Sequence, residues 1–525
     1  MSLRTTFLAK PKRIAAVLPA AALVVVLAAC SSGGATSGSS SSSSASGSST
    51  ASTKMLTVAQ PADLTSDDPV IDNGLYSLNV FHAVFDQLTQ ISPAGAIEPK
   101  LATKYVSSNG GKTWTFTIQK DAKFSDGTDE TADDVAYSFQ AVQANPKSLN
   151  QIYTKNIASV KAVDKTTVQF DLTNADANFP RIAYYISVVP QALYSKEGTD
   201  GFVKAPIGAG PYTLVKWTPG TSVVLKANDS YWGGAPKIKN VTVVPVADTD
   251  SRLNSLLSGS ADLAALAPSQ LSQAQASTTS TVKQAQSNQD VYLGYNTSAT
   301  WLSDPNFREA VSLAVDRKTI ISTVLNGLGT IGTASSVAPN VNGYDSSLSA
   351  MKFDLKKAKA LVKASGYDGT AIPFQYATNG GIAQSDELAQ SIEAELKAAG
   401  INVTLQGSDT ASFNLSWSSK SLKGLYLQQF SPSMMDAATT LNYLYGPTGE
   451  ALFSDPDINS LITEASGTTD PTARKAVIAK IWGINADKTY LSNLYYTKAI
   501  YGVANDLNWT PRADGMLDFV HASYK

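Results

Sequence analysis

The sequence predicts an α/β protein built from more than one domain, and three observations carry that reading. Leu388, Ile392 and Leu396 recur at helical spacing, Gly400 follows them, and INVTLQ (401–406) alternates at once as a strand. Helix, glycine and strand in that order make an α/β unit. TWTFTIQ (113–119) sets Trp114, Phe116 and Ile118 on one face of a second, half-buried strand. Finally, 525 residues with 43% hydrophobic and 16% charged side chains hold enough apolar material for several cores.

Taken from the amino terminus, the chain starts with a basic segment carrying Arg4, Lys10, Lys12 and Arg13 and no acid. The apolar run 14–29 follows, interrupted by Pro19. It falls short of the about 20 residues that a spanning helix needs. It reads as a secretory signal ending in small residues, so residues 1–29 are expected to be a signal peptide. The single cysteine of the chain, Cys30, comes next, and residues 31–53 are almost all Ser, Gly, Ala and Thr. Such a segment buries no core and behaves as a coil, so folded structure is expected from near Lys54.

In the body, LTVAQ (56–60) reads as a strand. KFSDGT (123–128) supplies a turn at Asp126 and Gly127. Thr131 with Asp134 three residues on approximates a capping box, and Val135, Phe139 and Val142 then share one helix face. The neighbouring Asp133 and Asp134 resemble an acid pair, but adjacent helical residues do not face each other and helix N-termini favour carboxylates. IGAGPYTLVKWTPGTSVVLKANDSYWGG (207–234) reads as antiparallel strands joined by turns. Asp304 followed by Pro305 starts a helix with Phe307, Val311, Ala314 and Val315 inward. A further helix is expected from Phe353 to Gly366, capped by Asp354, with Leu355, Ala358, Leu361 and Val362 buried.

Composition excludes several functions. The net charge is −2 and the only basic segment is the leader, so no Lys/Arg cluster offers a nucleic-acid surface. One cysteine excludes a disulfide framework or a CxxC metal site. Only His82 and His521 carry imidazoles and no G-x-S-x-G occurs, which argues against hydrolase chemistry.

Two resemblances then sharpen the reading. Leu27, Ala28, Ala29 and Cys30 resemble a bacterial lipobox. The resemblance implies that Cys30 is lipidated and becomes the first residue of the mature protein, with 30–53 as anchor and linker. The segments GAIEPKLATKY (95–105), 113–139, IGAGPYTLVKW (207–217), NDSYWGG (228–234), SGSADL (258–263), NFREAVSLAVDRKTI (306–320) and 356–367 together are similar to the extracytoplasmic solute-binding proteins of peptide-type ABC transporters. That family includes dipeptide-, oligopeptide- and nickel-binding members.

The resemblance implies a two-lobed, hinged periplasmic-binding-protein-like fold with an extra domain inserted in lobe I. Lobe I would comprise 54–91, 189–295 and 501–525, the insertion 92–188, and lobe II 296–500. Chain crossings near 292–296 and 495–502 would form the hinge. It implies capture without chemistry or cofactor: a monomer, lipid-anchored on the extracytoplasmic face of the bacterial cell membrane, takes a peptide or similar small solute and delivers it to ABC permease subunits. A non-peptide solute (a sugar, another polar metabolite or a metal chelate) and a lipid-anchored sensor remain alternatives.

In peptide binders of the family an acid in a W-x-x-D-x-x-D-P segment pairs with the α-amine. Here LQQFSPSMMDAATTLNYLY (427–445) corresponds, which places Ser433 at the amine position and Asp436 at the second acid. A serine hydroxyl cannot neutralise a buried ammonium, so either another acid serves or the ligand has no free amine there. Tyr76 and Asn79, Asn379, Phe430, Ser431, Ser433 and Asp436 are therefore the expected ligand residues.

Overall fold

A computed structural model describes residues 54–378 and 381–525. The expected signal peptide (1–29), Cys30, the serine-rich segment 31–53 and Asn379 lie outside the described residues.

Local signals in the sequence translate directly into caps. Thr131 and Asp134 form a reciprocal capping box at the start of Ala132–Ala144. The Asp304 side chain accepts from the Asn306 amide ahead of Pro305–Ala314, and Asp354 accepts from the Lys357 amide ahead of Leu355–Ala364. Each satisfies amides that the helix leaves without internal partners. The last helix is shorter than expected: Phe353 precedes the cap and is exposed. The strand expected at 401–406 occupies Val403–Ser408, because Gly400 takes a positive φ of 87° and the chain needs two residues to turn.

An eleven-stranded mixed sheet runs through the molecule. At one end Leu56–Gln60 lies parallel to Asn240–Pro245 and to Leu263–Leu266, and the hairpin Tyr212–Thr218 with Ser222–Ala227 completes that edge. At the other end Ile372–Ala377 lies parallel to Val403–Ser408 and to Leu425–Phe430. Two long antiparallel strands, Ser280–Tyr295 and Leu491–Ala504, join the ends. Their ladder shifts register between Gln286 and Asp290. The two ends, each covered by its own helices, make this a two-lobed α/β fold. A separate antiparallel sheet of four strands lies within residues 102–172 and packs its Trp114, Phe116 and Phe170 against Ala132–Ala144 and the first lobe's core.

The IGAGPY motif has a steric reason. A Cβ on Gly208 would lie 2.0 Å from the Val84 carbonyl oxygen, and one on Gly210 2.5 Å from that of Ala83. The loop thus lies against the end of the helix Leu75–Val84, where the Gly210 amide donates to the Val84 carbonyl at 2.9 Å. Gly208→Ala pushes the new Cβ against the Val84 backbone, which cannot rotate away. It is expected to lower unfolding free energy by about 2–3 kcal/mol, the upper part of the overpacking range, as read by urea denaturation.

The arginines of NFREAVSLAVDRKTI collect carbonyls. Arg317 is fully buried and donates to the carbonyls of Asn493, Ser312 and Val315 and to the hydroxyls of Ser312 and Ser492. Arg308 reaches the carbonyls of Leu302, Ser303, Lys488 and Thr489. Both fasten the start of the strand Leu491–Ala504 to the second lobe, so the motif is structural.

Candidate functional site

Residues from distant parts of the chain converge on the turn that follows Leu425–Phe430. Asp436, fully buried, caps the short helix Ala437–Thr440 by accepting from the Ala438 amide at 2.8 Å. Its carboxylate also receives a two-pronged bond from Arg474, at 3.0 and 2.7 Å. Asn178 donates to it at 3.0 Å and Asn342 at 2.6 Å, and the Arg181 Nε lies 3.7 Å away. Burial alone would raise the Asp436 pKa; the Arg474 and Arg181 charges and the bonds from Arg474 outweigh it and hold the carboxyl at about 2. A carboxylate accepts at about four lone-pair sites, so Asp436 is occupied by the chain's own donors. Its geometry is that of a clasp tying 178–181, beside the four-stranded sheet, to 342 and 474 in the second lobe.

The other expected residues fall in three settings. Ser433 is exposed. Its carbonyl accepts from the Tyr185 hydroxyl, and Tyr185 stacks on Tyr153 at 4.4 Å. Ser431 is exposed, and Phe430 is half-buried and stacked on Tyr443 with centroids 5.4 Å apart. Tyr76 lines a cavity of about 290 Å³ together with Leu266, Gln289, Ile382, Lys498 and Leu517, with both lobes contributing walls. Asn79 is buried. Its amide donates to Gln60 at 3.1 Å and its oxygen accepts from the Leu517 amide at 3.0 Å. It also borders a larger cavity of about 630 Å³ within the first lobe, beside His82, Lys100, Tyr184, Trp232 and Arg512. The structure thus brings Phe430, Ser431, Ser433 and Asp436 together on one turn, while Tyr76 lines a separate cavity.

Sequence reasoning missed the tyrosine wall next to that turn. Tyr292, Tyr426, Tyr445 and Tyr496 belong to one buried cluster that also takes in Tyr184 and Tyr185. Tyr292 and Tyr426 meet edge to face at 6.4 Å, and Tyr445 meets Trp482 likewise at 5.6 Å. Gly294 makes room for this, since a Cβ there would sit 2.0 Å from the Tyr426 ring. It also missed Arg181 and Arg474, which are isolated charges in sequence and meet only across the fold. The cavity that Tyr76 lines, walled by both lobes, is the ordinary setting for a small-molecule site.

The comparison with known families shows which kind of protein this is. The profile of bacterial extracellular solute-binding proteins, family 5 Middle, matches residues 96–451. The chain belongs to that family. The nickel-binding periplasmic protein of Escherichia coli (strain K12) is 30% identical over 387 residues, covering 67% of this chain and 72% of that protein. The probable D,D-dipeptide-binding periplasmic protein DdpA of the same strain is 27% identical over 444 residues, covering 80% of this chain and 84% of the relative. Among solved structures, HbpA2 from Haemophilus parasuis superposes with a TM-score of 0.82 at 21% identity, over 90% of this chain and all of that one. The family 5 fold of this solute-binding protein accounts for the two lobes and the long strands that connect them. Its relatives are binding proteins rather than enzymes, and they act outside the cytoplasm. None of the described helices is long and apolar enough to cross a membrane. No group of three or more His, Cys, Asp or Glu is placed to hold a metal ion among the described residues.

Proposed function

We propose that this family 5 protein is the lipid-anchored receptor of an ABC importer. It captures a peptide or similar small solute between its lobes and presents it to membrane permease subunits, without chemistry of its own and as a monomer. The observation that carries the reading is the pair of strands Ser280–Tyr295 and Leu491–Ala504, the long connection between the two ends of the sheet, with the tyrosine wall beside it. A hinge at these strands supports lobe I as 54–91, 189–295 and 501–525, an inserted domain at 92–188, and lobe II as 296–500. A ligand shifts such a pair of lobes toward closure only by its differential affinity for the closed state, so it touches both. Phe430, Ser431 and Ser433 on the turn, Asn379, and Tyr76 and Asn79 in lobe I are the residues proposed to meet it, with Asp436 holding the turn in place. The 30% identity to a nickel-binding protein supports a second reading, capture of a small metal chelate.

Native mass spectrometry of protein purified without refolding tests capture. A co-purified small solute is expected, and the same solute added back should raise the melting temperature by mass action. A broad peptide, metabolite and chelate screen that shifts nothing overturns the reading. Anchoring is tested separately. Cys30→Ala should move the protein from the membrane fraction to the soluble fraction while solute binding stays unchanged. Retention of this variant in the membrane fraction sinks the lipid anchor.

A further inference from the structure

Nine acidic side chains are buried among the described residues, and the chain supplies donors to most of them. Asp68 accepts from the Tyr194 hydroxyl, Asp72 from the Gly74 amide, Asp86 from Trp232, and Asp455 from Lys488. Only Glu130 and Asp290 have two orphaned oxygens each. Glu130 lies against the Asp86 carboxyl, so a shared proton can satisfy that pair. Asp290 has no such neighbour. It is 0% exposed, and neither oxygen meets a donor from another residue.

Register fixes where Asp290 faces. It stands opposite Phe430 on one side and Tyr496 on the other, and Tyr292, two residues on, shares its side of the strand. That side belongs to the cluster holding Tyr426, Tyr445 and Tyr496 from one lobe and Tyr184 and Tyr185 from the other. The opposite side, with Val291 and Leu293, packs into a separate core. The Tyr292 hydroxyl is orphaned as well. The polar atoms left unpaired here therefore sit on the face that both lobes share.

We propose that Asp290 and the tyrosines around it form a subsite for a positively charged nitrogen, so that the captured solute is an organic cation bearing an ammonium, guanidinium or quaternary ammonium group. This rests on the capture function proposed above and names its substrate class. A carboxylate and the faces of tyrosine rings both stabilise a cation, and they do so most strongly out of water. The titratable groups facing Asp290 are tyrosines: Tyr292 on its own strand, Tyr496 on the neighbouring strand and Tyr445 from the segment Leu441–Tyr445. No Lys, Arg or His forms an ion pair with it among the described residues, so the counter-charge comes from the ligand. A single carboxylate is too few donors for a bare metal ion. Burial without a counter-charge pushes the Asp290 carboxyl well above the ordinary range, which favours its protonated form when no cation is bound. A cation entering the site takes that proton's place, and the proton leaves to solvent.

The test measures binding by isothermal titration with matched probes: trialanine against N-acetyl-trialanine, and choline, putrescine and arginine against glucose and glutarate. The solutes that bind are expected to carry a cationic nitrogen, and N-acetylation should abolish binding of the peptide. Asp290→Asn should weaken the bound cation by at least about 30-fold, as loss of a buried charge partner does, while the ligand-free melting temperature holds or rises. Wild-type protein titrated near neutral pH in phosphate and in Tris should release about one proton per cation bound. This last measurement decides the matter even where Asp290→Asn fails to fold. A bound solute without a cationic nitrogen, an affinity unchanged in Asp290→Asn, or no proton release overturns the cation subsite and leaves capture standing. Wild-type protein that binds no probe and carries no solute in native mass spectrometry overturns both.

Discussion

Replacing Arg474 with methionine is expected to cost about 3–5 kcal/mol of stability, because breaking a buried ion pair from one side strands the other charge. Asp436 would keep Asn178, Asn342 and the more distant Arg181 but lose its two-pronged partner. Arg474 also donates to the Ala465 carbonyl at 3.2 Å, so the helix Pro471–Lys488 loosens from its neighbour Pro456–Gly467. The sign of the pH dependence follows from Asp436. Its folded pKa, about 2, lies below the ordinary value of 3.8. Its contribution is therefore fully present above that ordinary value and is lost as pH falls through about 2. In Arg474→Met the stranded carboxyl can relieve itself by protonation. The gap between wild type and variant should consequently be widest at neutral pH and narrow toward pH 3, as read from urea denaturation at both. A gap that is constant with pH would mean that the loss is packing alone. Adding Asp436→Asn to the variant should return part of the stability, since the two sites share one interaction.

Trp482→Ala is expected to cost about 3–5 kcal/mol as well, through a different route. Trp482 is fully buried, and its indole N–H donates to the Gly343 carbonyl at 2.8 Å. Gly343 adopts a positive φ of 95°, and a Cβ there would lie 2.7 Å from the Ala437 side chain. The indole therefore holds the turn on which Ala437, and with it Asp436, rests. The ring also supports Tyr445, whose hydroxyl meets Ser336 at 2.6 Å. Alanine leaves a cavity and an unpaired carbonyl. Phenylalanine fills most of the volume and should cost only about 1–3 kcal/mol, for the lost bond. Urea denaturation of the two variants separates the terms, and equal losses would show that the hydrogen bond dominates.

Local elements were legible from the sequence because their signals are local. Thr131 with Asp134, Asp304 with Pro305, and Asp354 each stand next to the helix they start. The helix Pro471–Lys488 escaped notice because Arg474 and Asn485 are buried alongside Val477, Ile478 and Trp482, which blurs its apolar stripe. The first half of Ser280–Tyr295, TVKQAQSNQ before Asp290, is polar enough to pass for a loop, since those residues are half-buried or exposed in the ladder. The site was harder still. Ser433 and Asp436 were found by resemblance, but whether a carboxylate is already spoken for depends on Arg181 and Arg474, which lie 255 positions before and 38 positions after it. Asp290 looked like one more polar residue in a polar run. Only the fold reveals that it is left with neither a donor nor a second carboxyl to share a proton with.

The unbroken sheet through Ser280–Tyr295 and Leu491–Ala504 has a mechanical consequence. Two lobes joined by loose loops would swing freely, whereas a hydrogen-bonded ribbon resists and returns, as a torsion spring does. Its most compliant point is the register slip between Gln286 and Asp290, where the ladder has fewest rungs. If the lobes close as proposed, twist applied there would turn the Asp290 side chain together with them, so one ribbon would carry both the motion and the carboxylate.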